Sequence, residues 1–269
     1  MEVRTFQGVS KMTERKEQEI QGLSYMRFLQ YKHITFSKMR MVCADVFCGS
    51  GSNNLPGYDE VIDGSPIRIL NGHAKANNTE RKFTFWFSDI RKAACEQLDK
   101  LIQEIKYNVK YYVKPVSASD AINILGEKLH KEKDIFLYLV LDPNGPKDFP
   151  KLEVEHLIRA FPRRLDIIPN ISATTLNRCI GARNKAGMDF KGWLKEIPNF
   201  DEGFVSNLVS NGRSGWIRKP IQGDKQRWVI IPTFGVLPPK HDWKKQGFVK
   251  INSAEGKDAI QYYCGSYGN

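Results

Sequence analysis

The residue types best suited to hold a cofactor lie between Asp45 and Gly51, where the sequence reads Asp-Val-Phe-Cys-Gly-Ser-Gly. The segment follows the apolar run 39–44, which predicts a buried strand. Glycines at the end of a strand let backbone N–H groups approach a ligand, because no Cβ atoms stand in the way. We expect six residues of the segment to contact the cofactor: Asp45, Phe47, Cys48, Gly49, Ser50 and Gly51.

The acid at the head of this glycine loop favours a cofactor that carries positive charge, and the combination predicts S-adenosylmethionine. The third glycine of a dinucleotide fingerprint is missing after Gly51, which disfavours NAD. A Gly-x-Gly pair is also common in strand-to-helix turns in general. No histidine lies near Cys48 in the sequence, so this cysteine is predicted to pack rather than to act as a nucleophile.

A second segment with suitable chemistry follows the apolar run Ile135–Leu141 and reads Asp-Pro-Asn-Gly-Pro. Its prolines stiffen the loop, and its glycine lets the backbone approach a planar substrate. An amine that attacks a sulfonium needs in-line positioning, which a carboxylate and a loop carbonyl can give by accepting hydrogen bonds. Asn-Gly is also a strong turn signal, so a simple turn is the alternative. The predicted catalytic residues are Asp142, Pro143, Asn144 and Gly145.

Two further loops follow predicted strands and carry polar side chains. Asp89 is placed to accept hydrogen bonds from ribose hydroxyls, and the loop with Ser119 and Asp120 is placed to meet an adenine amino group. Asp and Ser are also preferred helix N-caps, so each of the three could be a cap instead. We predict that all three bind the cofactor, with the capping role left open.

Strands must alternate with helices to bring these loops to one edge of a sheet. The predicted elements are helix 14–31, strand 39–47, strand 82–87, helix 90–107, strand 110–116, helix 120–130, strand 135–141, helix 152–161, strand 165–171, and late strands 228–232 and 248–252. This pattern predicts an α/β fold: a Rossmann-like, mostly parallel sheet with an antiparallel edge and helical or loop embellishments.

We predict one domain over residues 1–269. The polar stretch 52–82 is predicted to be an inserted loop or lid, because it is too long for a simple connection. Residues 174–204 look largely helical, and 206–225 look like a loop. The region 175–227 is then a basic, aromatic-rich embellishment that could recognise the substrate.

Composition limits the class of protein. The hydrophobic content is 41% and the charged content 26%, as in ordinary soluble domains. No apolar run reaches the roughly 18 residues that span a bilayer, and the charged N-terminus lacks the features of a signal peptide. The five cysteines are scattered without C-x-x-C spacing, so we expect no disulfide framework, no metal site and a cytoplasmic location.

The net charge of +11 is uneven and points to nucleic acid. Residues 178–250 contain 14 lysines and arginines against six acids, together with four of the five tryptophans. Basic residues among aromatics suit a surface that binds phosphates and stacks on bases. The alternative is a basic soluble face over a core with tryptophans. The predicted phosphate-binding residues are Arg178, Arg183, Lys185, Arg213, Arg218, Lys219, Lys225 and Arg227.

The first segment, Asp45–Gly51, resembles motif I of class I methyltransferases, and the loop that begins at Asp142 resembles their motif IV. Amino-methylating enzymes carry proline and an aromatic where this chain has Asn144-Gly145, although Phe149 could stand in for that aromatic. The segments 61–66 and 168–172 resemble the three-Cys-motif partner proteins, a family of methyltransferases. That resemblance covers roughly residues 20–235 and implies a Rossmann-like fold and S-adenosylmethionine binding. It also places Ser65 among the substrate-binding residues.

The sequence is therefore compatible with three functions. The first is a methyltransferase that acts on DNA or RNA, at a base amine such as adenine N6, with the base extruded toward Asp142. The second is a methyltransferase of a protein or small molecule. The third is an inactive protein that binds the cofactor and acts as an interaction partner or inhibitor. Any protein partner is left unidentified by the sequence.

Overall fold

The computed structural model describes eight stretches of the chain: residues 11–31, 39–54, 61–77, 82–143, 148–171, 206–219, 229–235 and 242–265. The strands in these stretches are β1 Arg40–Asp45, β2 Ser52–Asn54, β3 Val61–Asp63, β4 Phe83–Ser88, β5 Lys110–Lys114, β6 Ile135–Leu141, β7 Leu165–Ile171, β8 Ser214–Arg218, β9 Val229–Ile230, β10 Thr233–Phe234 and β11 Phe248–Lys250. The helices are α1 Lys11–Tyr31, α2 Ser65–Ala76, α3 Lys92–Ile105, α4 Ala118–Lys131, α5 Lys151–Ala160, α6 Asp242–Lys245 and α7 Ala254–Gly265.

The main sheet is mostly parallel and ends in an antiparallel edge. Its strands lie in the order β5-β4-β1-β6-β7-β10-β8-β11, with β9 also paired to β7. The pairs from β5 to β7 are parallel. The pairs of β10 with β7 and β8, and of β8 with β11, are antiparallel. The predicted Rossmann-like fold is therefore confirmed.

Helices cover both faces of this sheet, and the alternation of side chains along β1 divides the core between them. Val42 and Ala44 pack with residues of α4, α5 and α7. Met41 and Cys43 pack on the opposite face with residues of α1, α2 and α3. Every residue of β6 is buried, as a strand covered on both faces requires.

The stretch predicted as a loop or lid differs from that expectation, because it contains the β2–β3 hairpin and the helix α2. The pair Asn71-Gly72 is a turn signal in the sequence, yet both residues lie inside α2. A Cβ on Gly72 would lie 3.0 Å from the carbonyl oxygen of Gln21, so the missing side chain lets α1 pack closely against α2. Close helix packing, rather than a turn, explains this glycine.

The second difference lies in 206–225, which was predicted as a loop but contains β8. The strand is paired on both sides, with β10 and with β11. Its residues Trp216 and Ile217 are buried because they pack into the cores on opposite faces of the sheet. The late strands β9 and β11 confirm the positions expected near 228–232 and 248–252. The stretch 174–204, predicted to be helical, lies outside the described residues.

Candidate cofactor site

The carboxyl ends of the central strands bring the predicted site residues to one edge of the sheet. Asp45 ends β1, Asp89 follows β4, Asp142 follows β6, and Asn170 lies near the end of β7. The chain leaves β1 toward β4 on one side and returns to β6 on the other, so strand order reverses at β1. Ligands of open α/β sheets bind at such a reversal.

The two glycines of the loop after β1 have different surroundings. Both have positive φ angles, +58° at Gly49 and +78° at Gly51, which a residue with a side chain rarely adopts. A Cβ on Gly51 would lie 2.5 Å from Leu98 Cδ1 in α3. A Cβ on Gly49 would meet only Arg91 Nη2, at 3.8 Å, among the described residues. Gly51 therefore serves packing, whereas the backbone at Gly49 is open to a ligand.

Asp45 is fully buried and is held by two protein donors. Ser65 Oγ donates to Asp45 Oδ2 at 2.6 Å, and the backbone N–H of Phe47 donates to Oδ1 at 3.0 Å. Burial raises the pKa of Asp45 to about 7, against the lowering effect of those two hydrogen bonds. Ser65, predicted to bind substrate, is itself buried and bonded to this carboxyl. The contact that the structure shows for Ser65 is therefore a hydrogen bond to Asp45, and its substrate-binding role stays a prediction.

The raised pKa of Asp45 gives a pH-dependent stability that can be measured. Between its ordinary pKa of 3.8 and about 7, the folded protein keeps a proton that the unfolded chain has lost. The Asp45 contribution to stability is therefore complete below the lower value, falls as pH rises through this window, and is constant above it. We expect Asp45→Asn to make the fall in melting temperature between pH 5 and pH 8, measured without ligand, smaller than in wild type, while Glu17, whose pKa is also raised to about 7, keeps its own contribution. An Asp63→Asn variant is the control, and equal slopes in Asp45→Asn and wild type would contradict the assignment.

Asp89 has no acceptor position left for a ribose in this arrangement. Its Oδ1 accepts from the backbone N–H and Nε–H of Arg91, both at 2.9 Å. Its Oδ2 accepts from the N–H of Gly49 at 3.1 Å and from Arg91 Nη2 at 3.0 Å. A carboxylate offers about four acceptor positions, and protein donors fill them all. A ribose could reach Asp89 only if the half-exposed Arg91 guanidinium moved aside.

Asp142 is held from two sides at the end of β6. Lys16 Nζ donates to its Oδ2 at 2.6 Å, and Asn170 Nδ2 donates to its Oδ1 at 2.6 Å. The partner lysine comes from α1, far away in sequence. Each oxygen of the Asp142 carboxylate thus accepts a hydrogen bond from a protein donor, one of them charged.

Two residues of α1, Lys16 and Glu17, belong to the site although no sequence pattern predicted them. Lys16 Nζ lies 3.3 Å from Glu17 Oε1. Glu17 is 3% exposed, and burial raises its pKa to about 7. Asn170 lies in the segment 168–172, which resembles the three-Cys-motif partner proteins. This resemblance is the one sequence signal that could have identified Asn170 as a site residue.

The loop after β5 holds Ser119 and Asp120 in a helix start. Ser117 is the N-cap of α4, since its Oγ accepts from the backbone N–H of Asp120 at 3.1 Å. The Ser117 hydroxyl also donates to the Asp120 carboxylate at 2.6 Å. The cap is thus Ser117, and neither Ser119 nor Asp120, the two candidates from the sequence, has that role. Asp120 is exposed, and its adenine-binding role stays a prediction.

Three other residues of the glycine loop have structural contacts. Phe47 is half-buried against the core, and Ser50 Oγ donates to the carbonyl of Ser52 at 3.0 Å. Cys48 is 3% exposed, and burial raises the pKa of its thiol well above the ordinary value. A buried, protonated thiol packs and does not attack, as predicted for Cys48.

The loop after Asp142 lies partly outside the described residues. Pro143 is buried, but Asn144 and Gly145 are among the residues not described. Phe149, considered as a substitute for the missing aromatic, is 6% exposed and packs in the core against α4 and α5. A ring buried in this way is not available to stack on a base.

Two of the predicted phosphate-binding residues have other contacts. Arg213 is 5% exposed and donates to the carbonyls of Leu208, Pro162, Leu165 and Thr233, so phosphate binding by Arg213 was wrong. Arg218 forms an ion pair with Glu19 at 2.9 Å and is largely covered. Lys219 is exposed and stays a prediction. The rest lie outside the described residues: Arg178, Arg183, Lys185, Lys225 and Arg227.

The two described tryptophans of the basic stretch, Trp216 and Trp243, lie in the core, which agrees with the alternative of a basic face over a core with tryptophans. Trp216 and Trp243 are 3% and 1% exposed, with ring centroids 6.1 Å apart in a cluster with Phe234 and Phe248. These rings build the core under the antiparallel edge and do not offer a stacking surface. Within the described ranges, no cluster of His, Cys, Asp and Glu could hold a metal ion, and no helix is long and apolar enough to cross a bilayer.

Comparison with known proteins gives likeness of overall structure only. No family model matches the sequence, and no curated protein matches it. The protein LPL1258 from Legionella pneumophila has a TM-score of 0.48 at 10% identity, over 93% of each chain. An O-methyltransferase from Bacillus cereus in complex with SAH has a TM-score of 0.48 at 12% identity, over 84% of this chain and 82% of that one.

An rRNA methylase from Streptococcus thermophilus has a TM-score of 0.39 at 9% identity, over 79% of this chain and 94% of that one. Methyltransferases are thus among the solved structures that this chain resembles. Because the scores and identities are low, the fold assignment rests on the strand order and pairing of the chain itself.

Proposed function

We propose that this protein is an S-adenosylmethionine-dependent methyltransferase that acts on nucleic acid, at a base amine such as adenine N6. The observation that carries the cofactor assignment is the charge at the carboxyl edge of the sheet. Three buried or largely covered carboxyl groups, of Glu17, Asp45 and Asp142, lie around the single ammonium of Lys16. Such a site favours a ligand with positive charge, and S-adenosylmethionine carries a sulfonium and an ammonium.

The remaining residues fit this cofactor in type. The open backbone at Gly49 allows close approach, and the apolar side chain of Ile90 is 75% exposed beside Asp89, where a flat purine could cover it. Asp89 would hold the ribose once Arg91 released it. When bound, the cofactor would supply an electrophilic methyl group. Membership of the three-Cys-motif partner family is part of the proposal and rests on the short motifs named above.

Asp142 would act on the acceptor rather than on the cofactor. As an ionised carboxylate it can accept a hydrogen bond from an N–H of the acceptor amine and so turn the lone pair toward the methyl group. Asn170 and Lys16 restrict its orientation, since each holds one carboxylate oxygen at 2.6 Å. The role of this chain is therefore to position the amine and to stabilise the charge that develops on it.

Support for a nucleic-acid substrate comes from charge. The chain carries a net charge of +11, which favours binding to phosphates. Arg213 is buried and Arg218 is paired with Glu19, so neither of them contributes to that support. The test of the substrate is incubation with tritiated S-adenosylmethionine and either DNA or RNA. Cofactor binding without label on either polymer would exclude the nucleic-acid substrate.

Calorimetry with S-adenosylhomocysteine tests the cofactor. We expect Gly49→Ala to weaken binding by about tenfold or more, equal to about 1.4 kcal/mol, because a Cβ would enter the space next to the ligand. The matched control is Gly212→Ala, since Gly212 has a φ of +76° and lies in open surroundings. Both variants place a Cβ on a residue with positive φ, +58° at Gly49 and +76° at Gly212, so a larger effect at Gly49 reports the space that the ligand needs. Equal affinities would remove the glycine loop from the proposed site.

A protein that binds the cofactor without catalysis is the second candidate, and one observation favours it. Both oxygens of Asp142 are already engaged by protein donors, at 2.6 Å each. An acceptor amine must then use the remaining lone pairs. Transfer of label to any acceptor by the wild-type protein would exclude this candidate.

A further inference from the structure

The helix α1 brings a chain of buried polar contacts to the carboxyl edge of the sheet. Asn170 donates to Asp142, Asp142 accepts from Lys16, and Lys16 lies 3.3 Å from Glu17 Oε1. Glu17 and Asn170 are each 3% exposed. The chain thus starts on β7, passes the end of β6 and ends on a helix that precedes the whole sheet in sequence.

Two acceptor atoms at the ends of this chain lack a donor among the described residues. They are Glu17 Oε2 and Asn170 Oδ1. A buried polar atom without a hydrogen bond costs about 1–3 kcal/mol, more for a charged group, so two such atoms in one cluster point to a ligand. Both atoms are acceptors, and the ligand must therefore supply donors.

The charges of the cluster further limit the kind of ligand that fits. Lys16 is the sole cation in this contact chain, and it is shared between the carboxylates of Asp142 and Glu17. Burial raises the pKa of Glu17 to about 7, so above that pH both acids are negative, and a neutral donor would then leave one charge uncompensated in a buried site. A primary ammonium group supplies three N–H donors and one positive charge, which suits acceptors of the kind that Glu17 and Asn170 offer.

We infer that Glu17 and Asn170 form a subsite for the α-ammonium group of the cofactor's amino-acid tail, an assignment that rests on the proposed function. The position agrees with the sheet. Asp89, the proposed ribose residue, follows β4 on one side of β1, whereas Asn170 and Asp142 lie on the other side. Adjacent strands are about 4.8 Å apart, so a nucleoside held above β1 directs its tail toward β6 and β7.

Lys16 has a positioning role in this arrangement. Its ammonium separates the carboxylates of Glu17 and Asp142, which would otherwise repel each other in a buried site. One carboxylate then serves the cofactor tail and the other the acceptor amine. This division explains why a single lysine lies between two acids at the end of β6.

The experiment is a binding cycle measured by calorimetry, which needs no catalytic activity. The two ligands are S-adenosylhomocysteine and its analogue without the α-amino group, and the two proteins are wild type and Glu17→Gln. We expect wild type to prefer the amino form by about 10- to 100-fold, as for a hydrogen bond between charged groups. In Glu17→Gln the preference should fall below about threefold, because the charged acceptor is lost.

The matched control is Glu14→Gln, which changes the same residue type one turn earlier on α1, where Glu14 contacts the exposed Gln18. It should keep the wild-type preference. Full preference in Glu17→Gln would overturn the subsite, as would equal affinity of wild type for both ligands, a result that depends on no variant. Absence of any S-adenosylhomocysteine binding by wild type would instead overturn the proposed function itself.

The acceptor amine is the competing occupant of these atoms. If Glu17→Gln kept the full preference between the two cofactor analogues but raised the KM for the acceptor, the subsite would belong to the substrate and the inference would be wrong. Thermal unfolding of unliganded Glu17→Gln checks its fold. We expect it to be at least as stable as wild type at pH 8, since a buried carboxylate without a second partner is removed.

Discussion

An Asp142→Asn variant is expected to transfer methyl groups about 100-fold more slowly than wild type, or slower still, the usual effect of losing a positioned acid–base group. Its affinity for S-adenosylhomocysteine should fall by much less than the rate, because Glu17 and Asp45 remain at the site. The amide keeps the size of the carboxylate but loses its charge and one acceptor oxygen, so it no longer holds the acceptor amine in line. The measurement is single-turnover transfer of tritium from S-adenosylmethionine, with calorimetry on the same protein.

The control for this variant is Asp148→Asn, an exposed acid that follows the same loop. It should transfer label at the wild-type rate. If Asp142→Asn also reached that rate, Asp142 would have no part in the reaction. A loss of cofactor affinity as large as the loss of rate would mean that Asp142 binds the cofactor instead of positioning the acceptor.

The element that the sequence predicts best is β6, whose side chains are all apolar and buried. Its bounds agree with the predicted 135–141, because a continuous apolar run leaves little choice of structure, and the bounds of β7 agree with the predicted 165–171. From these strands the meeting of Asp45 and Asp142 follows, since the carboxyl ends of adjacent parallel strands lie together. The fold and the acids at the ends of the strands can therefore be predicted from the sequence.

The polar residues that α1 contributes to the site could not be predicted in this way. Its buried face includes Glu17, Ser24 and Arg27 beside apolar residues such as Ile20 and Leu23. An apolar stripe assigns polar residues to solvent, so a helix that buries charge looks only weakly amphipathic. Their partners on the sheet are more than a hundred residues away in sequence, and only the folded chain pairs them.

Two assignments depended on a choice that sequence alone cannot make. Asp89 has the position of a ribose acceptor, yet Arg91, two residues later, takes up its oxygens. Arg213 has the type of a phosphate-binding residue, yet it binds carbonyl oxygens inside the protein. Residue type gives the chemistry a side chain can do, whereas the neighbouring donors and acceptors decide which of these it does.

The buried ion pair at the opposite end of α1 gives the largest stability effect that we expect. Arg27 Nε donates to Asp166 Oδ2 at 2.7 Å, Tyr31 Oη donates to the same oxygen at 2.6 Å, and the N–H of Gly235 donates to Oδ1 at 3.0 Å. Arg27 and Asp166 are both fully buried. This network fixes α1 to β7 and to the end of β10.

Removing the charge of Asp166 should therefore lower the free energy of unfolding by about 3–5 kcal/mol, because the buried Arg27 guanidinium would lose the carboxylate to which its Nε donates. The variant is Asp166→Asn, which keeps an acceptor oxygen, and the measurement is urea unfolding at equilibrium. The exposed pair of Asp134 with Arg40 is the matched control. Asp134→Asn changes the same residue type at a solvated ion pair and should alter stability much less.

A double variant tests whether the buried charge is the cause. Arg27→Met combined with Asp166→Asn should be more stable than Asp166→Asn alone, since the buried charge of Arg27 is removed as well.

Lys16 and Arg27 are 11 residues apart, about three helical turns, and so lie on the same face of α1. The network that holds α1 on the sheet therefore also positions Lys16 and Glu17 at the site. Asp166→Asn should weaken S-adenosylhomocysteine binding from the far end of the helix, and unchanged affinity and stability would show that this network does not position α1.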